Sequence, residues 1–477
     1  MKFSSSCLRA AAVALVILAP ERAAAQLAPG VRQFVVHDEP VIALVDARVV
    51  DGTGAMPRDH QTIVIRGGKI AAFGGAKEVE IPPDAARIDL RGKTVIPGLF
   101  DLHAHQYFYS ASGLTEMSVS APRLYLGGGI TTARTAGGQM PYADLSMKTE
   151  IDKGRVAGPR MYITGPYLDG PGSGNGSVGL NRRLETEGEA RRVVAYWASE
   201  GATWLKFQGS VSRAVLGAAI DEAHKHGMKV TGHLCSVSFR EAAALGIDNL
   251  EHGFITNSDY LPNRQPDVCS RENMRYQAQV DVEGPAVDST IRELLAKKVA
   301  LTSTLSVYEM FVAERAALPP DVLEAMAPKA REAAELELAD LKAGRSFAVP
   351  LVLFQKMMRF ERRWVAAGGL LAAGVDPWGN GSLPGYGDHR NFEVLVEAGF
   401  TPVEAIQIMT QNGAKVMGLN DRLGSVTVGK LADLVVLDGD PVARPADIRA
   451  VSLVFKDGIG YDAVKLRASV RGMVGIQ

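Results

Sequence analysis

Between residues 95 and 376, short apolar runs alternate with longer stretches whose apolar residues recur every three or four positions. Runs of four to eight residues rich in β-branched side chains read as buried strands, and the 3.6-residue recurrence as helices laid against them. Strands are predicted near 95–105, 130–134, 160–164, 203–207, 229–233, 249–253, 299–304 and 370–376, with helices between them, for example over 213–226 and 238–245. Regular alternation of strand and helix implies an α/β fold with a parallel sheet, and eight such units imply closure into a (β/α)8 TIM-type barrel. Positions 319–364 are rich in Ala, Glu, Leu, Lys and Arg at helical spacing, which predicts a helical elaboration after the seventh strand.

The chain ends follow another pattern. Runs at 43–51, 62–71 and 86–90, and again at 432–438 and 451–458, are short, β-branched and bounded by Gly, Asp or Pro. Neither end holds enough strands to bury a core alone. Pairing them predicts a small composite β-sandwich from 38–94 and 422–477, with the barrel, 95–421, inserted.

Composition narrows the classes. Of 477 residues, 47% are hydrophobic and 22% charged, so disordered and fibrous chains are excluded. A net charge of −1 gives no basic surface for nucleic acid. Residues 1–25 carry Lys2 and Arg9, a short apolar run over 10–19, and Ala23-Ala24-Ala25, the layout of a secretory signal cleaved after Ala25. The expectation is a periplasmic or secreted protein with no membrane association after cleavage. Cys7 would leave with the signal. Cys235 and Cys269 would remain, either bridged or as two free thiols.

The strongest chemical signal is Val95-Ile-Pro-Gly-Leu-Phe-Asp-Leu-His103-Ala-His105. Residues two apart in a strand share a face, so both imidazoles point together at a strand's C-terminal end, where barrels carry chemistry. His233, His252 and Asp376 close the predicted fifth, sixth and eighth strands, and Lys206 closes the fourth. Imidazoles and a carboxylate gathered at one rim suit a divalent metal, zinc best. Lys206, flanked by Trp204, Leu205 and Phe207, is either paired with a core carboxylate or kept neutral by desolvation. A neutral amine can take up carbon dioxide to give a carbamate that bridges two metals.

These motifs, with Asn249-Leu-Glu-His252-Gly, Gly374-Val-Asp376 and the closing run over 424–437, resemble the amidohydrolase superfamily in its binuclear, lysine-carbamate branch. The similarity is greatest to its imidazolonepropionase-like and Xaa-Pro or Xaa-Arg dipeptidase-like group. The resemblance implies two divalent ions, one held by His103, His105 and Asp376 and the other by His233 and His252, with carbamylated Lys206 and a hydroxide bridging them. It implies that the hydroxide attacks an amide carbonyl, that Asp376 moves the proton, and that His252 helps orient the carbonyl.

Two positions depart from the pattern. Cys235 stands where related peptidases place a tyrosine that contacts substrate, and Arg134-Thr135 replaces Arg-Asp. Cys235, Tyr386, His389 and Arg182, with neighbouring Arg183, are candidates for substrate contact. The glycine-rich run over 170–177 is either a lid or a plain connection. The expected activity is hydrolysis of a small dipeptide or N-acyl amino acid. Opening of cyclic amides, lactones or phosphotriesters, and a non-catalytic metal-binding barrel, remain as alternatives. The partner is a small molecule, and the fold is compatible with a homo-oligomer.

Overall fold

A computed structural model describes residues 27–110, 113–171 and 182–475. The proposed signal segment and residues 172–181 of the glycine-rich run lie outside the described residues. Eight strand positions follow one another in parallel: β1 (Leu99–Ala104), β2 (Ile130–Thr135), β3 (Arg160–Tyr162, resumed at Thr164–Asp169), β4 (Trp204–Phe207), β5 (Lys229–Gly232), β6 (Asn249–Glu251), β7 (Ala300–Ser303) and β8 (Leu371–Ala373). Neighbours pair in that order, and the path returns on itself where Asp376 N–H donates to His103 O (2.9 Å) just beyond β8 and inside β1. Every residue of β1, β2, β4 and β7 is buried, as expected of parallel strands covered on both faces.

Local sequence explains the surrounding helices. Thr186 with Glu189, Ser238 with Glu241, and Thr401 with Glu404 form reciprocal caps that satisfy the first free N–H groups. The helix Leu351–Ala366 buries Leu353, Phe354, Met357, Phe360, Glu361 and Trp364, a stripe at three- and four-residue spacing. With helices Pro320–Ala325 and Pro328–Lys342 it forms the elaboration after β7. None of the described helices is long and apolar enough to cross a membrane.

Both chain ends meet in one nine-stranded sheet, in which Leu434–Leu437 runs antiparallel to Thr94–Pro97 and Val41–Val49 pairs with Arg58–Arg66, Ala86–Asp89 and Thr94–Pro97. The strands thus join one continuous sheet rather than two separate ones. Ile42, Leu44, Ile63, Val95, Leu434, Val436 and Phe455 share a single core, so the same face of that sheet serves both ends of the chain.

The run predicted as one strand over 95–105 is two. Thr94–Pro97 belongs to the terminal sheet and Leu99–Ala104 to the barrel. The break falls at Gly98, where a Cβ would lie 2.1 Å from Thr131 Oγ1. Only glycine lets the chain pass β2 that closely as it changes sheets.

The two late cysteines form a disulfide, Cys235–Cys269, across 34 positions. It ties the turn after β5 to the long segment after β6, which Arg213 also holds through Asp267 (3.0 Å). Closing a loop of that length restricts the unfolded chain. The double variant Cys235→Ser/Cys269→Ser is expected to lose about 2–4 kcal/mol of stability, read as a lower midpoint in thermal unfolding. An unchanged midpoint would show that the segment is held by its ion pairs alone.

Candidate active site

Six side chains converge at the C-terminal ends of five strands. His103, in β1, places Nε2 3.5 Å from Asp376 Oδ1 and 3.4 Å from Lys206 Nζ. His105, just after β1, places Nε2 3.3 Å from the same Asp376 oxygen. The His252 ring lies 4.6 Å, centre to centre, from both His103 and His233, and its Nδ1 is 3.8 Å from Asp376 Oδ2. The structure therefore brings His103, His105, Lys206, His233, His252 and Asp376 together. Of these, His103, His252 and Asp376 present ligand atoms within 4.8 Å of one another and could hold a metal ion.

The backbone is bent to this purpose. His252 and Asp376 adopt left-handed conformations, with φ of 65° and 50°. Such values are uncommon away from glycine and collect at functional sites. Asp101 accepts from His103 N–H (2.7 Å) and Val375 N–H (3.2 Å), clasping β1 to β8. A Cβ on Gly374 would stand 2.4 Å from His103 N, so the Gly-Val-Asp run needs glycine for the two strands to approach.

Electrostatics leave three of the imidazoles as lone-pair donors. Burial lowers His103 and His252 well below the usual histidine range and brings His233 down to about 4. Burial also lowers Lys206 to about 8, against the opposing pull of Glu251 and Asp376. Burial alone would raise Asp376, but His103, His105 and Lys206 outweigh it and hold the carboxylate below its usual range. A half-buried, ionised carboxylate beside the neutral imidazoles of His103, His233 and His252, with a lysine whose ammonium is destabilised, is a donor set that fits divalent cations.

Several residues that sequence reading passed over support this set. Glu251, wholly buried, accepts from His103 Nδ1 (2.8 Å), Asn249 Nδ2 (3.1 Å), Arg134 Nη2 (2.5 Å) and the Thr231 hydroxyl. Arg134 and Lys206 outweigh the desolvation that would raise it, so Glu251 stays ionised. An ionised carboxylate only accepts, so Nδ1 of His103 carries the hydrogen and Nε2 offers its lone pair to the cluster. Thr304 Oγ1 bonds His252 Nδ1 (2.7 Å). Tyr167 Oη lies 3.1 Å from His105 Nε2 and 2.6 Å from Tyr107 Oη. Strand period was the available signal for Glu251, which shares a face with Asn249 inside β6.

Of the candidates for substrate contact, Tyr386 and His389 fall elsewhere. Cys235 is consumed in the disulfide. Arg182 and Arg183 are exposed on a two-residue strand beside β3. His389 is buried in the helix Tyr386–Glu397, and its Nε2 meets Gly128 O (2.7 Å). With Tyr386 it lines an outer cavity of about 310 Å³ that also includes Arg449, Arg467 and Arg471 and none of the six clustered residues. Tyr386 and His389 therefore correct the sequence expectation, because their helix turns them toward Gly128, just before β2, and the helix Ala463–Ala468 instead of the cluster.

Comparison with known proteins agrees with this architecture. The amidohydrolase family model matches residues 94–308 and 371–459, more than half of the chain. A dihydroorotase of Anaeromyxobacter dehalogenans is 28% identical over 198 residues, 40% of this chain and 41% of the dihydroorotase, so the match spans less than half of that relative. An imidazolonepropionase of Symbiobacterium thermophilum is 25% identical over 419 residues, 82% of this chain and 85% of its own. The crystal structure of a candidate prolidase from Bifidobacterium longum superposes with a TM-score of 0.65 at 26% identity, covering 91% of this chain and 100% of that one. By the match of its family model and the placement of its barrel, the chain belongs to the amidohydrolase family.

Proposed function

We propose that this protein is an exported, metal-dependent amidohydrolase that cleaves the amide C–N bond of a small substrate, a dipeptide or an N-acyl amino acid. The convergence of His103, His105, Lys206, His233, His252 and Asp376 at the barrel mouth carries the reading. In it, His103, His105 and Asp376 would hold one divalent ion and His233 and His252 a second, zinc by ligand type, with Lys206, as its carbamate, a further ligand. Bound there, the ions would acidify water and polarise a carbonyl.

The chain's own groups do the rest. Asp376, ionised and at the rim, accepts the proton of the attacking water as the C–O bond forms, then returns it to the nitrogen as the C–N bond breaks. Glu251 fixes the ring of His103, and Thr304 that of His252. The Cys235–Cys269 disulfide supports export, since such bonds persist in oxidising compartments. Ring opening of a cyclic amide is the second reading, favoured by the names of the dihydroorotase and imidazolonepropionase relatives.

Incubation of the mature protein with mixed dipeptides, N-acyl amino acids and cyclic amides, followed by mass spectrometry, distinguishes them. Chelator treatment is expected to abolish release of free amino acids, and added zinc to restore it. Release that survives full metal removal would overturn the metal-dependent reading, and ring opening alone would select the second.

A further inference from the structure

Four tyrosines stand at the cluster, and three are already engaged. Tyr107 and Tyr167 bond each other (2.6 Å), and Tyr167 reaches His105. Tyr125 Oη exchanges contacts with the backbone of His105, 3.1 Å from both its N and its O. Tyr308 differs. It lies in the short helix Leu305–Glu309, one turn past the C-terminal end of β7. Its ring, 9% exposed, meets the His252 ring edge-on at 5.3 Å between centres. Its hydroxyl has no hydrogen-bond partner among the described residues, and burial, then the nearby charge of Asp376, holds its pKa well above the usual tyrosine value.

We propose that Tyr308 is a further catalytic residue, whose phenol donates a hydrogen bond to the substrate oxygen that gains negative charge during amide cleavage. The proposal rests on the hydrolase reading of the site. A phenol stays protonated at neutral pH, with an ordinary pKa of about 10, so it is a donor without any preceding proton transfer. Packing against His252 fixes the ring's direction, and a preoriented donor at a developing oxyanion is the arrangement that costs least reorganisation. The hydroxyl makes no hydrogen bond to a described residue, so it is free to donate to a ligand oxygen in the mouth. Cys235, bound to Cys269, has no donor of its own to offer.

The test compares the mature, zinc-loaded protein with its Tyr308→Phe variant. The hydroxyl makes no internal bond, so zinc content and thermal midpoint are expected to be unchanged. Inorganic phosphate, a tetrahedral oxyanion, is then titrated calorimetrically into each. Loss of one hydrogen bond to a charged group is expected to weaken phosphate by about tenfold or more. The kcat for the amide substrate is expected to fall about 100-fold with KM little changed. Phosphate that binds both proteins alike, or neither, overturns the proposal, as does a lowered thermal midpoint, which would make Tyr308 a packing residue. A phosphate difference in a protein that cleaves no amide would retain Tyr308 as an oxyanion donor and reject the amide reading instead.

Discussion

Replacement of Asp376 by Asn is expected to lower kcat by about 10²–10⁴-fold while leaving the fold and most of the metal in place. Asn has the same shape and, like Asp, tolerates the left-handed backbone that this position adopts at φ 50°. It retains an oxygen where Asp376 Oδ1 now faces His103 (3.5 Å) and His105 (3.3 Å). It lacks the one property that the proposed chemistry requires, a carboxylate able to take a proton and give it back. The effect should therefore sit in kcat, with KM within a few-fold of the parent. Steady-state kinetics and metal analysis on the same preparation separate the causes. Turnover at the parental rate would remove Asp376 from the proton relay, and loss of both metals would recast it as a ligand first.

The barrel was legible because its strands are buried on both faces, so their apolar runs and the intervening helices each keep a clear period. Position at a strand's end then located His103, His105, His233, His252, Lys206 and Asp376 without any knowledge of distance. What period cannot show is where a continuous apolar run changes partners. The run over 95–104 looks like one strand, and its division at Gly98 depends on Thr131, which lies in another strand. Nearness in sequence also misled. Tyr386 and His389 follow Asp376 closely, but the helix Tyr386–Glu397 carries His389 to Gly128, 261 positions away. The Cys235–Cys269 bond was open for the same reason, since spacing alone gives no distance.

The Glu251–Arg134 pair is the largest support that had to be seen to be found, and removing half of it should cost most. The two residues are 117 positions apart, and both are wholly buried. Arg134 also reaches Leu102 O in β1 and lies over the Trp204 ring at 4.6 Å, so one guanidinium carried by β2 links β1, β4 and β6 across the barrel interior. Arg134→Ala would leave Glu251 charged and unpaired in the interior, a change expected to cost about 3–5 kcal/mol. It should also slacken the carboxylate that orients His103, with metal affinity falling about 10–100-fold. A second substitution, Glu251→Gln, removes the stranded charge. The double variant is therefore expected to recover part of the lost stability but none of the metal affinity, because a neutral amide is a weaker acceptor for His103 Nδ1. Thermal unfolding and competitive zinc titration across the four proteins of the cycle measure the two effects separately. If Arg134→Ala unfolds at the parental temperature and binds zinc as tightly, the pair is packing alone. If stability and affinity recover together in the double variant, the charge of Glu251 has no part in holding His103.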